Sequence, residues 1–261
     1  MVRVVEALSR QGGSVGTMFC QAEEIVKWRW RGAVYLPHLA DVPLVRAADD
    51  SMPDPRFPQL SVATVTDEAR FRGAIAAIDV ANGEDPNLLV VRGETRPKEL
   101  AHAELLTEWV LRLRPDASEA LLLAVRAHHI ERWRVPRSSY PDGRQGYLSW
   151  RRALHDLHAE RAAEILRAAG YDAASIDRTR RIIRKERLKT DSEAQTLEDG
   201  LCLVFLETQL DLDWERIDDE KMVAVLRKTW RKMSAAGRDA ALALRLGERA
   251  ERLVRRALGA S

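Results

Sequence analysis

The sequence predicts an all-α fold: a single helical bundle of about seven or eight helices that follows an irregular N-terminal extension. From residue 66 onward, apolar side chains recur every three or four positions in one segment after another, which is the period of an α-helix. No segment alternates convincingly between apolar and polar residues, as a strand would. We therefore divide the chain into an irregular extension, residues 1–65, and an all-α domain, residues 66–261.

The composition is ordinary for a globular protein, with 46% hydrophobic residues and a formal net charge of +2. No apolar run approaches the ~20 residues that cross a bilayer, and the first residues lack the continuous apolar centre of a secretory signal. The two cysteines, Cys20 and Cys202, give neither a disulfide framework nor a thiolate zinc site. We expect a cytoplasmic protein without a membrane partner.

The extension shows neither a period of 2 nor one of 3.6 for long, and it is interrupted by Gly12-Gly13 and five prolines. These features are typical of a poorly ordered segment. Its Trp28 and Trp30, which alternate with arginines, could stack on nucleic-acid bases, although a short strand or docking segment accounts for them better. We place no function there.

The first three predicted helices begin and end at recognisable signals. Thr66 is the expected N-cap of the first helix, and Asn82-Gly83 ends it. The second begins near Pro97, which suits a first helical turn. Pro115-Asp116 opens the third, and its apolar residues 121–125 predict a helix in the middle of the bundle.

Five further helices complete the predicted bundle. We expect them over residues 149–170, residues 173–186, a segment capped by Asp191, residues 219–233 and residues 238–258. Basic residues predominate from Lys221 onward, which gives the chain a strongly basic end.

Histidines are concentrated in one part of the chain: after His38, the others of the 6 fall between positions 102 and 158. A lone histidine on an apolar face is usually a hydrogen-bonded core residue. Here, however, histidines on three predicted helices and an aspartate embedded among apolar residues all face inward. Imidazole with a carboxylate suits manganese, iron, cobalt, nickel or zinc, and bundle cores assemble such sites. The sequence therefore predicts a divalent-metal site from His102, His128, His129, His158 and Asp199.

A loop rich in arginine and aromatic residues follows the histidine pair. Its cationic and hydroxyl groups could bind a phosphate or carboxylate. We expect charge stabilisation from Arg137, Arg144 and Lys185, and substrate binding from Arg132, Tyr140, Tyr147 and Arg151. The alternative, equally open, is that the arginines pair with Glu131, Asp142, Glu193 and Glu198 and only hold the loop in place.

Short motifs are spread over residues 71–246. They are DPN at Asp85, HAELLTEWV at His102, HIERW at His129, PRSSYP at Pro136, GYLSWR at Gly146, HAE at His158, GY at Gly170, LEDGLCLVFLE at Leu197 and KTWRKMS at Lys228. In these motifs the chain resembles the domain of unknown function 4202 family. That resemblance covers about two-thirds of the chain and implies no established activity.

A more distant resemblance concerns the order His102, LLLAVRAHHIERW, HAERAAEIL, IIRKERL and LEDGLCLVF. This order is similar to the HD phosphohydrolase superfamily, whose helical domain binds divalent metal and hydrolyses phosphate esters. The resemblance implies an HD-like bundle in which His102 is the first ligand, His128-His129 the paired ligands and Asp199 the last. His158 would match an additional histidine found in some members.

The sequence departs from that superfamily at the paired ligands, where His129 stands in place of an aspartate. A carboxylate can bridge two metal ions, whereas a neutral imidazole binds one, so a two-metal mechanism is in doubt. Lys185 also occupies a position where histidine is common in the superfamily. The site is then mononuclear, altered in chemistry, or empty.

Three functional hypotheses follow. The first is a metal-dependent phosphohydrolase that acts on a phosphorylated small molecule or nucleotide. The second is a non-catalytic module that binds a nucleotide or RNA through the arginine loop and the basic end. The third, a minor one, is a tRNA-synthetase-type activity, suggested by partial motifs at Lys232-Met233-Ser234 and His128-His129-Ile130. The oligomeric state, monomer or homo-oligomer, stays open.

Overall fold

The computed structural model of the chain describes residues 65–208, residue 210 and residues 218–259. The predictions made for residues 1–64, including the Trp28 and Trp30 pair, lie outside the described residues. Within the described part, no helix combines the length and apolar composition that a membrane span needs.

Nine α-helices and one two-stranded hairpin form the regular structure of the described residues. In chain order they are α1 Glu68–Gly83, β1 Leu88–Val91, β2 Glu94–Pro97, α2 Lys98–Leu113, α3 Glu119–Ala127, α4 Gly143–Ala168, α5 Ala173–Ile183, α6 Ser192–Thr208, α7 Asp219–Lys232, α8 Ala235–Leu242 and α9 Glu248–Leu258. Two short 3₁₀ turns, Arg132–Arg134 and Arg137–Ser139, interrupt the connection from α3 to α4. The predicted all-α bundle is confirmed.

The hairpin was not predicted from the sequence. Its strands pair antiparallel, with Leu88 opposite Pro97 and Val91 opposite Glu94. The turn residues Arg92 and Gly93 both have positive φ, 52° and 86°, as a tight two-residue hairpin turn requires. Each strand has only four residues, which is too short for an alternating pattern to stand out.

Helix α3 lies in the middle of the bundle, as its apolar sequence predicts. Leu121 and Leu123 are buried, and the helix packs on α1, α2, α4, α5 and α6. Helix α6 crosses α2 closely at Gly200, where a Cβ atom would lie 2.9 Å from Leu106 Cδ1. These contacts bring α2, the end of α3 and α4 together around one point of the core.

Several helix boundaries differ from the prediction because side-chain capping decides them. Asp67 rather than Thr66 caps α1, since its Oδ1 accepts from Arg70 N at 3.0 Å. Ser118 caps α3 by accepting from Leu121 N, so the helix begins after Pro115-Asp116 rather than at it. The prediction that Asp191 caps α6 is confirmed, because it accepts from Glu193 N and Ala194 N.

Two longer segments were also predicted with the wrong extent. Helix α4 begins at Gly143 rather than at residue 149, and its Gly146 packs where a Cβ atom would meet the Pro141 carbonyl oxygen. The single helix predicted over residues 238–258 is two helices, α8 and α9, separated by residues 243–247. Ser234 caps α8 through Gly237 N, which starts that helix before residue 238.

Candidate metal centre

Four of the predicted ligands, all histidines, converge in the core. Helix α2 contributes His102, the end of α3 contributes His128 and His129, and α4 contributes His158. The ring centroids of His102 and His129 lie 4.6 Å apart, those of His128 and His129 4.7 Å, and those of His129 and His158 5.8 Å. The side chain of His129 is 19% exposed, whereas the other three are buried, so the cluster meets solvent at His129.

A carboxylate that the sequence analysis missed completes the cluster. Glu99, His102 and His129 each offer one ligand atom, and these three atoms lie within 4.8 Å of one another. Glu99 Oε2 is 3.3 Å from His129 Nδ1. This oxygen is buried and has no hydrogen-bond partner among the residues described. The signal was present as Glu-x-x-His, a spacing that places Glu99 one turn before His102 on the same helix face.

The DPN motif orients the start of α2, where Glu99 lies. Pro97, the N-cap residue, gives no side-chain cap, and Asp85 Oδ2 instead accepts from Glu99 N at 3.1 Å. Asp85 Oδ1 in turn accepts from Asn87 N at 2.9 Å. Burial raises the pKa of Asp85, against the opposing effect of the hydrogen bonds from Asn87. The motif therefore serves as a remote cap that holds Glu99 in the first turn of the helix.

Glu131 fixes the backbone at the end of the turn that carries His128 and His129. This residue has φ 54°, in the left-handed region, where a non-glycine residue costs on the order of 1 kcal/mol. Its buried carboxylate lies 3.0 Å from Arg161 Nε and 3.2 Å from Arg134 Nε. These ion pairs offset the backbone strain and keep the histidine turn in one conformation.

Two nitrogens of the cluster are buried without a partner among the described residues: His128 Nδ1 and His158 Nε2. The opposite nitrogen of His158, Nδ1, lies 2.7 Å from the Ile130 carbonyl oxygen and must donate to it. A histidine ligand to a metal usually donates its second ring N–H in this way, which leaves the other nitrogen as the ligand. Nε2 of His158 therefore carries the lone pair and can act as a metal ligand.

The histidines are uncharged near neutral pH. Burial lowers the pKa of His102 to about 4 and that of His158 to about 3, and it lowers the pKa values of His128 and His129 well below the ordinary range. The positive charges of Lys185 and Arg132 act in the same direction on His129. Neutral imidazoles have the free lone pairs that metal ligation needs.

Asp199, the fifth predicted ligand, has its carboxylate bound elsewhere. It accepts from Ser234 N at 2.8 Å, from Ser234 Oγ at 2.5 Å and from Gln195 Nε2 at 3.0 Å. Burial raises the pKa of Asp199, while the Ser234 hydrogen bonds oppose that shift. The structure does not bring Asp199 into the group of Glu99, His102 and His129. Ser234 of the lysine-methionine-serine segment is accordingly the N-cap of α8, held by Asp199.

The predicted charge-stabilising residues separate into different roles. Arg137 donates to the carbonyl oxygens of Tyr140 and Pro141, both at 2.8 Å, so it holds the loop through backbone carbonyls rather than through the acidic side chains that the structural alternative named. Arg144 is exposed on the first turn of α4. Lys185 donates to Glu198 at 2.5 Å, and both side chains are buried.

The predicted substrate-binding residues lie along the same loop and the start of α4. The Arg132 guanidinium lies over the Trp150 ring at 4.9 Å, and that of Arg151 over the Tyr147 ring at 5.9 Å. Tyr147 and Trp150 contact one another at 6.0 Å. Glu131 and Glu193, two of the acidic partners expected for the arginines, instead pair with Arg161 and Arg178. The Arg132 and Arg151 guanidinium groups are therefore positioned by aromatic rings.

A family model described as Domain of unknown function (DUF4202) matches residues 72–254. No curated protein and no solved structure matches the chain. The matched range contains Glu99, the four clustered histidines and Lys185.

Proposed function

The chain belongs to the domain of unknown function 4202 family, whose description assigns no activity, and we propose from the site itself that the protein is a divalent-metal-dependent hydrolase of phosphate esters or nucleotides. The observation that carries the proposal is the convergence of ligand atoms from Glu99, His102 and His129 within 4.8 Å. Two imidazoles and a carboxylate form a donor set that manganese, iron, cobalt, nickel or zinc accepts.

Buried polar atoms that have no hydrogen-bond partner support the proposal that a cation binds at the cluster. Glu99 Oε2, His128 Nδ1 and His158 Nε2 find no hydrogen-bond partner in the described part of the chain, and the first and last of them are acceptors. Leaving such an atom unsatisfied costs about 1–3 kcal/mol, and a cation at the cluster would remove part of that cost. Modest side-chain adjustment would bring the donors to the ~2.0–2.2 Å bonds of a metal site.

Glu99 also supplies a carboxylate to a site that lacks the aspartate of the HD phosphohydrolase pattern. In that pattern the residue after the paired histidine is an aspartate, and here His129 stands in its place. The carboxylate that the site needs comes instead from Glu99, one turn before His102. The resemblance in motif order supports an HD-like arrangement with a substituted ligand set, and it makes a single-metal site the natural form.

The chemistry follows from the donor set and its surroundings. A bound divalent cation would lower the pKa of a water molecule and so provide a hydroxide nucleophile near neutral pH. Glu99, His102 and His129 would hold the cation, and His158 would add an acceptor nitrogen beside His129. His129 marks the side on which the substrate enters, because it is the exposed member of the cluster. Arg132 and Lys185 supply positive charge to an anionic substrate.

The test is metal analysis of protein purified without chelator, followed by hydrolysis of p-nitrophenyl phosphate. Glu99→Gln keeps the shape of the side chain and removes its charge, and Glu108→Gln is the matched control on the same helix, paired with Arg92 away from the cluster. We expect near-stoichiometric metal in the natural protein and in the control, and at least tenfold less in Glu99→Gln and His129→Ala.

Two results would contradict the proposal. Protein that contains no metal and takes up neither manganese, iron nor zinc lacks the site, and the non-catalytic nucleotide- or RNA-binding module would then replace the hydrolase. Metal that is bound at the cluster, without hydrolysis of any phosphate ester tested, would refute the hydrolytic activity while leaving the metal site in place.

A further inference from the structure

Lys185 occupies a backbone position that normally favours glycine. It follows the C-cap of α5 with φ 54°, its N–H donates to the Ile182 carbonyl at 2.9 Å, and the next N–H, of Glu186, donates to Arg181 at 3.0 Å. This pair of bonds is the Schellman motif, whose left-handed residue is usually glycine. Lysine costs on the order of 1 kcal/mol more there.

Helix α4 ends with the same motif and provides a comparison within the chain. There the left-handed residue is Gly170, with φ 82°, and the two bonds run to Arg167 and Leu166, each at 3.0 Å. The two helix ends thus share a backbone geometry but not a residue type. The lysine at 185 must compensate its backbone cost through its side chain.

The ammonium group of Lys185 lies in a buried group of charges centred on Glu198. Lys185 Nζ is 2.5 Å from Glu198 Oε2, and Lys232 Nζ is 4.0 Å from Glu198 Oε1. Burial acts to raise the pKa of Glu198, but Lys185, with smaller contributions from Lys232 and Arg151, lowers it overall. The group thus gathers three cationic side chains, those of Lys185, Lys232 and Arg151, around the Glu198 carboxylate.

This charged group adjoins the candidate metal centre. The positive charge of Lys185 contributes to lowering the pKa values of His102, His128 and His129 in the cluster. Arg151, His155 and His158 follow one another at one-turn spacing on α4, and α5, which Lys185 follows, packs on both α4 and α3. An anion held by the lysines would therefore lie next to the cation site.

We propose that Lys185, Lys232 and Arg151 form a phosphate subsite beside the Glu99–His102–His129 cluster, and that it takes the dianionic phosphate of a phosphate monoester. Charged donors of this kind make strong hydrogen bonds to phosphate oxygens, and a guanidinium can bind two of them at once. A monoester dianion offers such donors three non-bridging oxygens and two charges, whereas a diester offers two oxygens and one charge. The place of the subsite in hydrolysis rests on the proposed function, whereas phosphate binding itself needs no metal.

The test measures binding of inorganic phosphate to the full chain by calorimetry, with metal removed by chelator. The double variant Lys185→Gly/Glu198→Gln removes both members of the buried pair, so it leaves no unpaired buried charge and gives the left-handed position the residue it favours. Lys232→Gln and Arg151→Gln each remove one outer cation. The matched control is Arg152→Gln, which removes the exposed neighbouring charge on the same helix.

We expect phosphate affinity to fall at least tenfold in the double variant and severalfold in Lys232→Gln and Arg151→Gln, with no change in Arg152→Gln. Unchanged affinity in the double variant and in Lys232→Gln, or an equal loss in the control, would overturn the subsite. Phosphate binding that appears only with added metal and disappears in Glu99→Gln would also overturn it, while leaving the proposed hydrolase standing. Phosphate binding by natural protein that takes up no metal would support the subsite and refute the hydrolase.

Discussion

His158 Nδ1 donates to the carbonyl oxygen of Ile130 at 2.7 Å, and this bond connects α4 to the turn that carries His128 and His129. It sets the tautomer of His158, because a carbonyl oxygen can only accept. Nε2 is then the lone-pair nitrogen, and it is buried without a partner among the described residues. The bond thus orients one ring and ties together two of the elements that build the cluster.

His158→Asn separates these two effects. The asparagine Nδ2 group can take the place of Nδ1 and still donate to Ile130, but nothing replaces Nε2. We expect the variant to fold, with a free energy of unfolding within about 1 kcal/mol of the natural value, and its zinc affinity to fall at least tenfold. Competition with a chelating dye measures the affinity, and chemical unfolding measures the stability. Unchanged zinc affinity would exclude Nε2 from the metal site.

Asp199→Asn should leave the metal content unchanged. The Asp199 carboxylate holds Ser234 and Gln195, so the loss of its charge weakens the cap of α8 and should lower the free energy of unfolding by about 1–2 kcal/mol. Metal analysis beside Glu99→Gln checks this expectation. Loss of metal in a folded Asp199→Asn protein would return Asp199 to the ligand set and contradict the geometry.

The sequence predicted which residues are buried better than it predicted their partners. The helical period placed His102 and His158 on inward faces, and both are buried. The same pattern marked Asp199 as buried, but its partner Ser234 follows 35 residues later in another element, which no periodicity reveals. Its burial therefore suggested a metal ligand, whereas in the structure the Asp199 carboxylate holds Ser234, the N-cap residue of α8.

Glu99 was missed for a related reason. A glutamate in the first turn of a helix is expected from the helix dipole alone, so the Glu-x-x-His spacing did not stand out as part of a site. Its burial depends on the contact with His129, thirty residues along the chain, and on the remote cap from Asp85. The hairpin was not predicted because its four-residue strands contain too few positions to show an alternating pattern.

Two glycines in helices should respond to alanine in opposite directions. A Cβ atom at Gly237 in α8 would lie 2.7 Å from Asp199 Cγ, whereas one at Gly73 in α1 would meet nothing within 4 Å. Gly237→Ala should therefore lower the free energy of unfolding by about 1–3 kcal/mol. Gly73→Ala, the matched control, should raise it by about 0.5–1 kcal/mol through the better helix propensity of alanine. Urea unfolding of both variants checks the pair, and a stable Gly237→Ala would contradict the close packing at Asp199.

The metal-free protein should lose stability as the pH falls below about 6.5, the ordinary pKa of histidine. Burial lowers the pKa of His102 to about 4 and that of His158 to about 3, so the unfolded chain takes up protons that the folded chain does not. Stability is therefore full above the unfolded pKa and declines below it, by up to about 1.4 kcal/mol per pH unit for each such histidine. Urea unfolding in chelator between about pH 7.5 and about pH 5.5 measures the slope. His158→Asn, which lacks one of these groups, should show a shallower slope, and equal slopes in the two proteins would contradict the lowered pKa of His158.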